Sequence, residues 1–190
     1  MGKHILEQLI SGGRAFHVTT QQHIDSIRSG VKFDYNRRKS DETDFGYGFY
    51  IHATRKAAVD YTKALIRHVG DDSKFYIVEF EFACSPEEFV GGSVFNVKEF
   101  NEYNDAFAEF VFDNRNNNRR GTRQHGFDIV AGCMTSGNPT NVMTDYYTNV
   151  LTKEEVIDKF KTPCSRRQIC LCTSKACSRL TYISDEPYEK

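Results

Sequence analysis

The chain has 190 residues with 25 basic and 26 acidic side chains, a formal net charge of −1. That length suits one domain spanning residues 1–190 with a self-sufficient core, and the balanced charge excludes an overall field drawing it to nucleic acid or anionic membrane. No apolar run approaches the roughly 20 residues of a membrane span, and Met1-Gly-Lys-His-Ile-Leu-Glu7 lacks a signal peptide's apolar core; a cytoplasmic protein is expected, exported only by a signal-independent system.

Ile5, Leu6, Leu9 and Ile10 lie at helical spacing, and Gly12-Gly13 ends that first helix. Arg14 to Thr19 reads as a strand carrying Phe16, His17 and Val18. Thr20 is expected to cap a helix running to Ser29, with Ile24 and Ile27 inward and Gly30 closing it. The polar run Asn36 to Thr43 is expected as a loop leading into Phe45-Gly-Tyr-Gly-Phe-Tyr-Ile51. There the alternating Gly46 and Gly48 remove side chains from one face, which permits close approach by a flat ligand.

Thr54 caps the clearest helix, where Ala57, Ala58, Tyr61, Ala64, Leu65 and Val69 repeat at three and four before Gly70. Phe75 to Phe82 alternates as a half-buried strand. Phe95 to Phe112 carries aromatics at helical spacing, with Phe100, Tyr103, Phe107, Phe110 and Val111 as its inward stripe. Asn114 to Gln124 is expected as a polar loop, with Arg119, Arg120, Arg123 and His125 as a local basic patch. A strand Phe127 to Ala131 follows. Thr152 with Glu155 forms a capping box opening a helix to Phe160. Gln168 to Cys172 is a last strand and Thr173 to Leu180 a short helical turn. The pattern is that of one mixed α+β unit without repeats.

The six cysteines, Cys84, Cys133, Cys164, Cys170, Cys172 and Cys177, are expected as free thiols, because nothing else points to an oxidising compartment. Cys170-Leu-Cys172 lacks the CxxC spacing of a zinc knuckle, so no metal is expected. Taken singly, His17 suits a structural histidine as well as a ligand group, and an arginine at 37 or 38 suits a solvated loop as well as an anion contact.

Taken together, Phe16-His17-Val18-Thr19-Thr20 and Asp44-Phe-Gly-Tyr-Gly-Phe-Tyr50, followed by the helix at Ala57, resemble the ADP-ribosyltransferase superfamily, in its branch related to diphtheria toxin and the poly(ADP-ribose) polymerases. The likeness is nearest to small bacterial domains in which Asp-Phe-Gly-x-Gly-Phe-Tyr precedes Asn-Arg, Phe/Tyr-Asp-Ile-Val-x-Gly and Gln-Ile/Val-x-Phe. Here the corresponding segments are Asn114-Arg115, Phe127-Asp128-Ile129-Val130 with Gly132, and Gln168-Ile169-Cys170-Leu171.

The resemblance implies a split, mainly antiparallel two-sheet core with flanking helices. It implies an NAD-dependent transferase that cleaves the nicotinamide–ribose bond and passes ADP-ribose to an acceptor, with a toxin or effector role. By resemblance His17 bonds a ribose hydroxyl and the nicotinamide amide, Tyr50 stacks on the nicotinamide ring, and Gln168 grips the ribose 2′-hydroxyl where most active transferases have Glu. The NAD-binding set comprises His17, Val18, Thr19, Arg37, Arg38, Asp44, Phe45, Gly46, Gly48, Phe49, Tyr50 and Tyr61. Arg115 and Asp128 are expected to pair and order the polar loop. A macromolecule or small molecule is the implied acceptor, and Arg166 and Arg167 hint at an acidic one. The alternative is an NAD-binding interaction domain of the same fold without chemistry.

Overall fold

The computed structural model describes residues 5–31, 43–69, 74–92, 94–118 and 125–189. Strands β1 (Arg14–Thr20), β3 (Phe75–Phe82) and β7 (Leu180–Pro187) form one antiparallel sheet with β3 in the middle. Strands β2 (Phe49–Ile51), β6 (Arg167–Leu171), β5 (Ile129–Cys133) and β4 (Val97–Phe100) form the other in that order, antiparallel except for the pair β4–β5. The protein is therefore α+β with two mostly antiparallel sheets, and the described residues carry seven α-helices: α1 (Ile5–Gly12), α2 (Ile24–Arg28), α3 (Arg55–Val69), α4 (Asp105–Asn118), α5 (Pro139–Tyr147), α6 (Lys153–Phe160) and α7 (Ser174–Cys177). Among the described residues no helix is long and apolar enough to cross a membrane.

The four-stranded sheet is covered on both faces. Ile129, Ala131, Ile169 and Leu171 join one core cluster with α1 and the residues Val78 and Phe80 of β3. Their neighbours Val130 and Cys170 join a second cluster with Phe107 and Val111 of α4 and Val156 and Phe160 of α6. Side chains alternate across a strand, so a strand buried on both faces reads as an unbroken apolar run. At roughly 25 cal/mol per Å² of apolar surface removed from water, these two layers are the main stabilising term.

Local signals that need only a few neighbours match the structure. Thr54 Oγ1 accepts from Ala57 N at 3.2 Å to start α3. Thr152 Oγ1 accepts from Glu155 N at 3.2 Å while Glu155 Oε2 accepts from Thr152 N at 2.8 Å, so the capping box opens α6. Other boundaries differ from expectation. Thr20 ends β1 instead of capping a helix, and α2 begins only at Ile24 after a turn in which His23 N donates to Thr20 O. The aromatic stretch expected as one helix is divided: Val97–Phe100 is a strand parallel to β5, and α4 starts at Asp105. Asn114 and Arg115, expected in a loop, are buried on α4. The loop expected over Asn36–Thr43, Gly70, and the patch residues Arg119, Arg120 and Arg123 lie outside the described residues, apart from Thr43.

The two sheets touch at one point that matters for the site. Phe16 N donates to His52 O at 2.9 Å and His52 N to Phe16 O at 2.7 Å, an isolated bridge between β1 and the end of β2.

Candidate functional site

The bridge sets His17 of β1 beside Tyr50 of β2. His17 Nδ1 lies 2.7 Å from Tyr50 O. A carbonyl only accepts, so Nδ1 carries the proton and Nε2 is left as an acceptor. The imidazole stacks on Phe49 with ring centroids 4.2 Å apart. Burial pushes the His17 pKa down to about 4, so the ring is neutral at physiological pH. His52 is held alike: its Nδ1 donates to Arg167 O at 3.3 Å, its ring tilts against Tyr61 at 5.1 Å, and burial lowers its pKa to about 4.

Tyr50 is anchored through its hydroxyl. Oη accepts from Phe45 N at 3.0 Å and donates to Gly46 O at 3.0 Å, and Thr43 Oγ1 donates to the same carbonyl at 2.9 Å. Segment 44–48 is thus a turn folded over the Tyr50 hydroxyl, with Gly46 at φ +75°, and only Phe49–Ile51 is strand. Gly46 and Gly48 therefore lie in a turn and not on a strand. The space at Gly48 is taken by the protein's own β6: a Cβ there would collide with Cys170 Sγ and stand 2.6 Å from Leu171 O.

Asp44 sits at the centre of a buried polar knot. Its carboxylate accepts from Arg115 Nε at 3.1 Å and Nη2 at 2.6 Å, from Thr135 N at 2.9 Å and Oγ1 at 2.8 Å, and from Gln168 Nε2 at 3.0 Å. Three elements far apart in sequence are tied to one side chain: α4, the segment after β5, and β6. The expected Arg115–Asp128 pair does not form. Asp128 instead accepts from Asn96 N and Thr173 Oγ1 and lies 3.2 Å from Lys175, because it faces the opposite end of β5 from the knot.

These groups surround a cavity of about 460 Å³ where the two sheets meet α3 and the start of α5. Of the residues expected at the site, His17, Val18, Asp44, Tyr50, Tyr61 and Gln168 line it. Thr19, Phe45, Gly46, Gly48 and Phe49 do not: Phe45 and Phe49 are core side chains, Thr19 is buried, and the two glycines shape the turn. Arg37 and Arg38 lie outside the described residues. Sequence reasoning missed His52 and Thr135 as lining residues, together with Gly137 to Thr140. The turn-rich string Thr135-Ser-Gly-Asn-Pro-Thr140 was the available signal, and Asn138 indeed caps α5 by accepting from Asn141 N at 3.2 Å. Arg166 lines the cavity, whereas the Arg167 guanidinium packs over the Tyr103 ring at 5.5 Å.

Among the described residues no group of three or more His, Cys, Asp or Glu side chains is placed to hold a metal. The wall offers the rings of Tyr50 and Tyr61, Arg166 beside the Asp44-paired Arg115, and uncharged polar groups from His17, His52 and Gln168, a set suited to a polar ligand with a flat ring.

No curated protein and no solved structure matches the chain. The family model described as protein of unknown function, DUF3990, matches residues 26–182, and the chain belongs to that family.

Proposed function

We propose that the protein is an NAD-dependent ADP-ribosyltransferase of the split two-sheet type, cleaving the nicotinamide–ribose bond and passing ADP-ribose to an acceptor. The observation carrying this reading is that His17, Tyr50 and Gln168, from three strands of two sheets, line a single cavity. Its volume of about 460 Å³ falls within the roughly 300–1,000 Å³ of small-ligand sites.

Breaking the bond to nicotinamide leaves positive charge on the ribose, so the protein's tasks are to hold the leaving ring, orient the sugar and favour that charge. His17 Nε2 accepts a hydrogen bond from a ligand hydroxyl or amide. Tyr50, its hydroxyl tied on both sides, offers a ring face whose plane is fixed before binding. Gln168 accepts from the ribose without contributing charge, and charge-assisted bonds are roughly twice as strong as neutral ones. That neutrality is the observation favouring the second reading, an NAD-binding domain without turnover.

Incubation of the full chain with NAD⁺ and measurement of free nicotinamide tests the first reading. Release above the buffer control supports it; NAD⁺ bound without release assigns the second. No binding at millimolar NAD⁺ removes both.

A further inference from the structure

The carboxamide of Gln168 has a donor end and an acceptor end, and the fold decides which one faces the cavity. A carboxylate accepts and does not donate, so the end of Gln168 that meets Asp44 Oδ2 at 3.0 Å is the NH2 end. Oε1 is turned the other way, and among the described residues it accepts no hydrogen bond. Asp44 cannot rotate to offer an alternative, because Arg115 and Thr135 occupy both of its oxygens. Gln168 is itself only 5% exposed, and its neighbours on β6 are locked in register between β2 and β5.

We propose that Asp44 is a positioning residue: by holding Gln168 Nε2 it presents Gln168 Oε1 to the cavity as a hydrogen-bond acceptor. With His17 Nε2, the site then offers two neutral acceptors whose donor ends are already engaged by the protein. Such a pair selects ligand groups that bring their own protons, sugar hydroxyls or a primary amide, and disfavours phosphate or carboxylate at this end of the cavity. The choice of NAD⁺ as the ligand rests on the function proposed above; the orientation of the amide does not.

The orientation is read directly by NMR on the ¹⁵N-labelled full chain. The Gln168 side-chain NH2 pair, assigned by its loss in Gln168→Met, is expected to exchange with water at least tenfold more slowly than those of exposed glutamines. Exchange as fast as theirs overturns the proposal, whether or not NAD⁺ binds. The second measurement is NAD⁺ affinity by calorimetry at pH 7.5. Gln168→Glu sets a second carboxylate against Asp44 and is expected to weaken binding at least tenfold. Equal binding by this variant overturns the positioning role. If the original chain binds no NAD⁺, the proposed function fails and the exchange measurement alone decides the positioning role.

Discussion

Arg115 reaches Asp44 across 71 residues of sequence, donating from Nε at 3.1 Å and Nη2 at 2.6 Å, with the two side chains only 3% and 4% exposed. A buried pair of this kind contributes little over a well-packed apolar pair, but loss of one member strands the other charge at a cost of about 3–5 kcal/mol. Arg115→Met is therefore expected to lower stability by that amount in urea denaturation. Arg115→Met with Asp44→Asn should cost less than Arg115→Met alone. Strict additivity of the two changes would show that they act independently.

Gly48→Ala tests the contact between the turn and β6. The added methyl meets Cys170 Sγ and the Leu171 carbonyl, and overpacking of this sort costs typically about 1–3 kcal/mol. Adding Cys170→Ala relieves the side-chain part alone, since Leu171 O is backbone and β6 is held between β2 and β5. Thermal melts of the single and double variants give the comparison; full recovery would place the clash wholly on Cys170.

Tyr50 combines two roles that substitution can separate. Tyr50→Phe keeps the ring and loses both Oη bonds, leaving Phe45 N without its acceptor while Gly46 O keeps Thr43 Oγ1, at about 1–3 kcal/mol for a buried group left unpaired. Measurable nicotinamide release is expected to persist. Tyr50→Ala removes the ring as well, so both the melting temperature and nicotinamide release should fall. Unchanged release by Tyr50→Ala would remove the stacking role.

The two depressed histidines give stability a pH dependence of known sign. Folded, His17 and His52 protonate only near pH 4; unfolded, they do so near 6.5. Between these values the unfolded chain binds more protons, so the stabilisation is complete above about pH 6.5 and falls as pH drops, by up to roughly 1.4 kcal/mol per pH unit for each histidine. Urea denaturation at pH 7.5, 6.0 and 5.0 measures the slope, and His52→Gln should reduce it by about half. NAD⁺ affinity should stay level from pH 5.5 to 8, because His17 remains neutral throughout; a loss of affinity centred on 6.5 would contradict the buried tautomer.

Much of the fold was legible where the information is local. The period of α3, the alternation of β3 and the caps at Thr54 and Thr152 depend on residues within a turn of one another. Elements without that signature were missed. β4 is four residues long, two of them charged, and holds only Phe100 of the aromatic stripe that reads as helical, too little for periodicity to assign. β7, with its burial mostly exposed and its acidic residues Asp185 and Glu186, is an edge strand whose partner β3 supplies the reason for its conformation.

The same division runs through the site. The sequence by itself determined its chemical inventory: His17 on a strand, the Asp44–Tyr50 motif, and a glutamine opening a late strand. It also determined the starts of α3 and α6, since capping acts over a few residues. Tertiary structure alone decided that Gly48 makes room for β6, that Asp44 joins Arg115, Thr135 and Gln168, and that His17 carries its proton on Nδ1. Each of those depends on which atoms from distant segments meet in a dry interior, where an unmatched donor or acceptor costs about 1–3 kcal/mol and the orientation satisfying the most groups prevails.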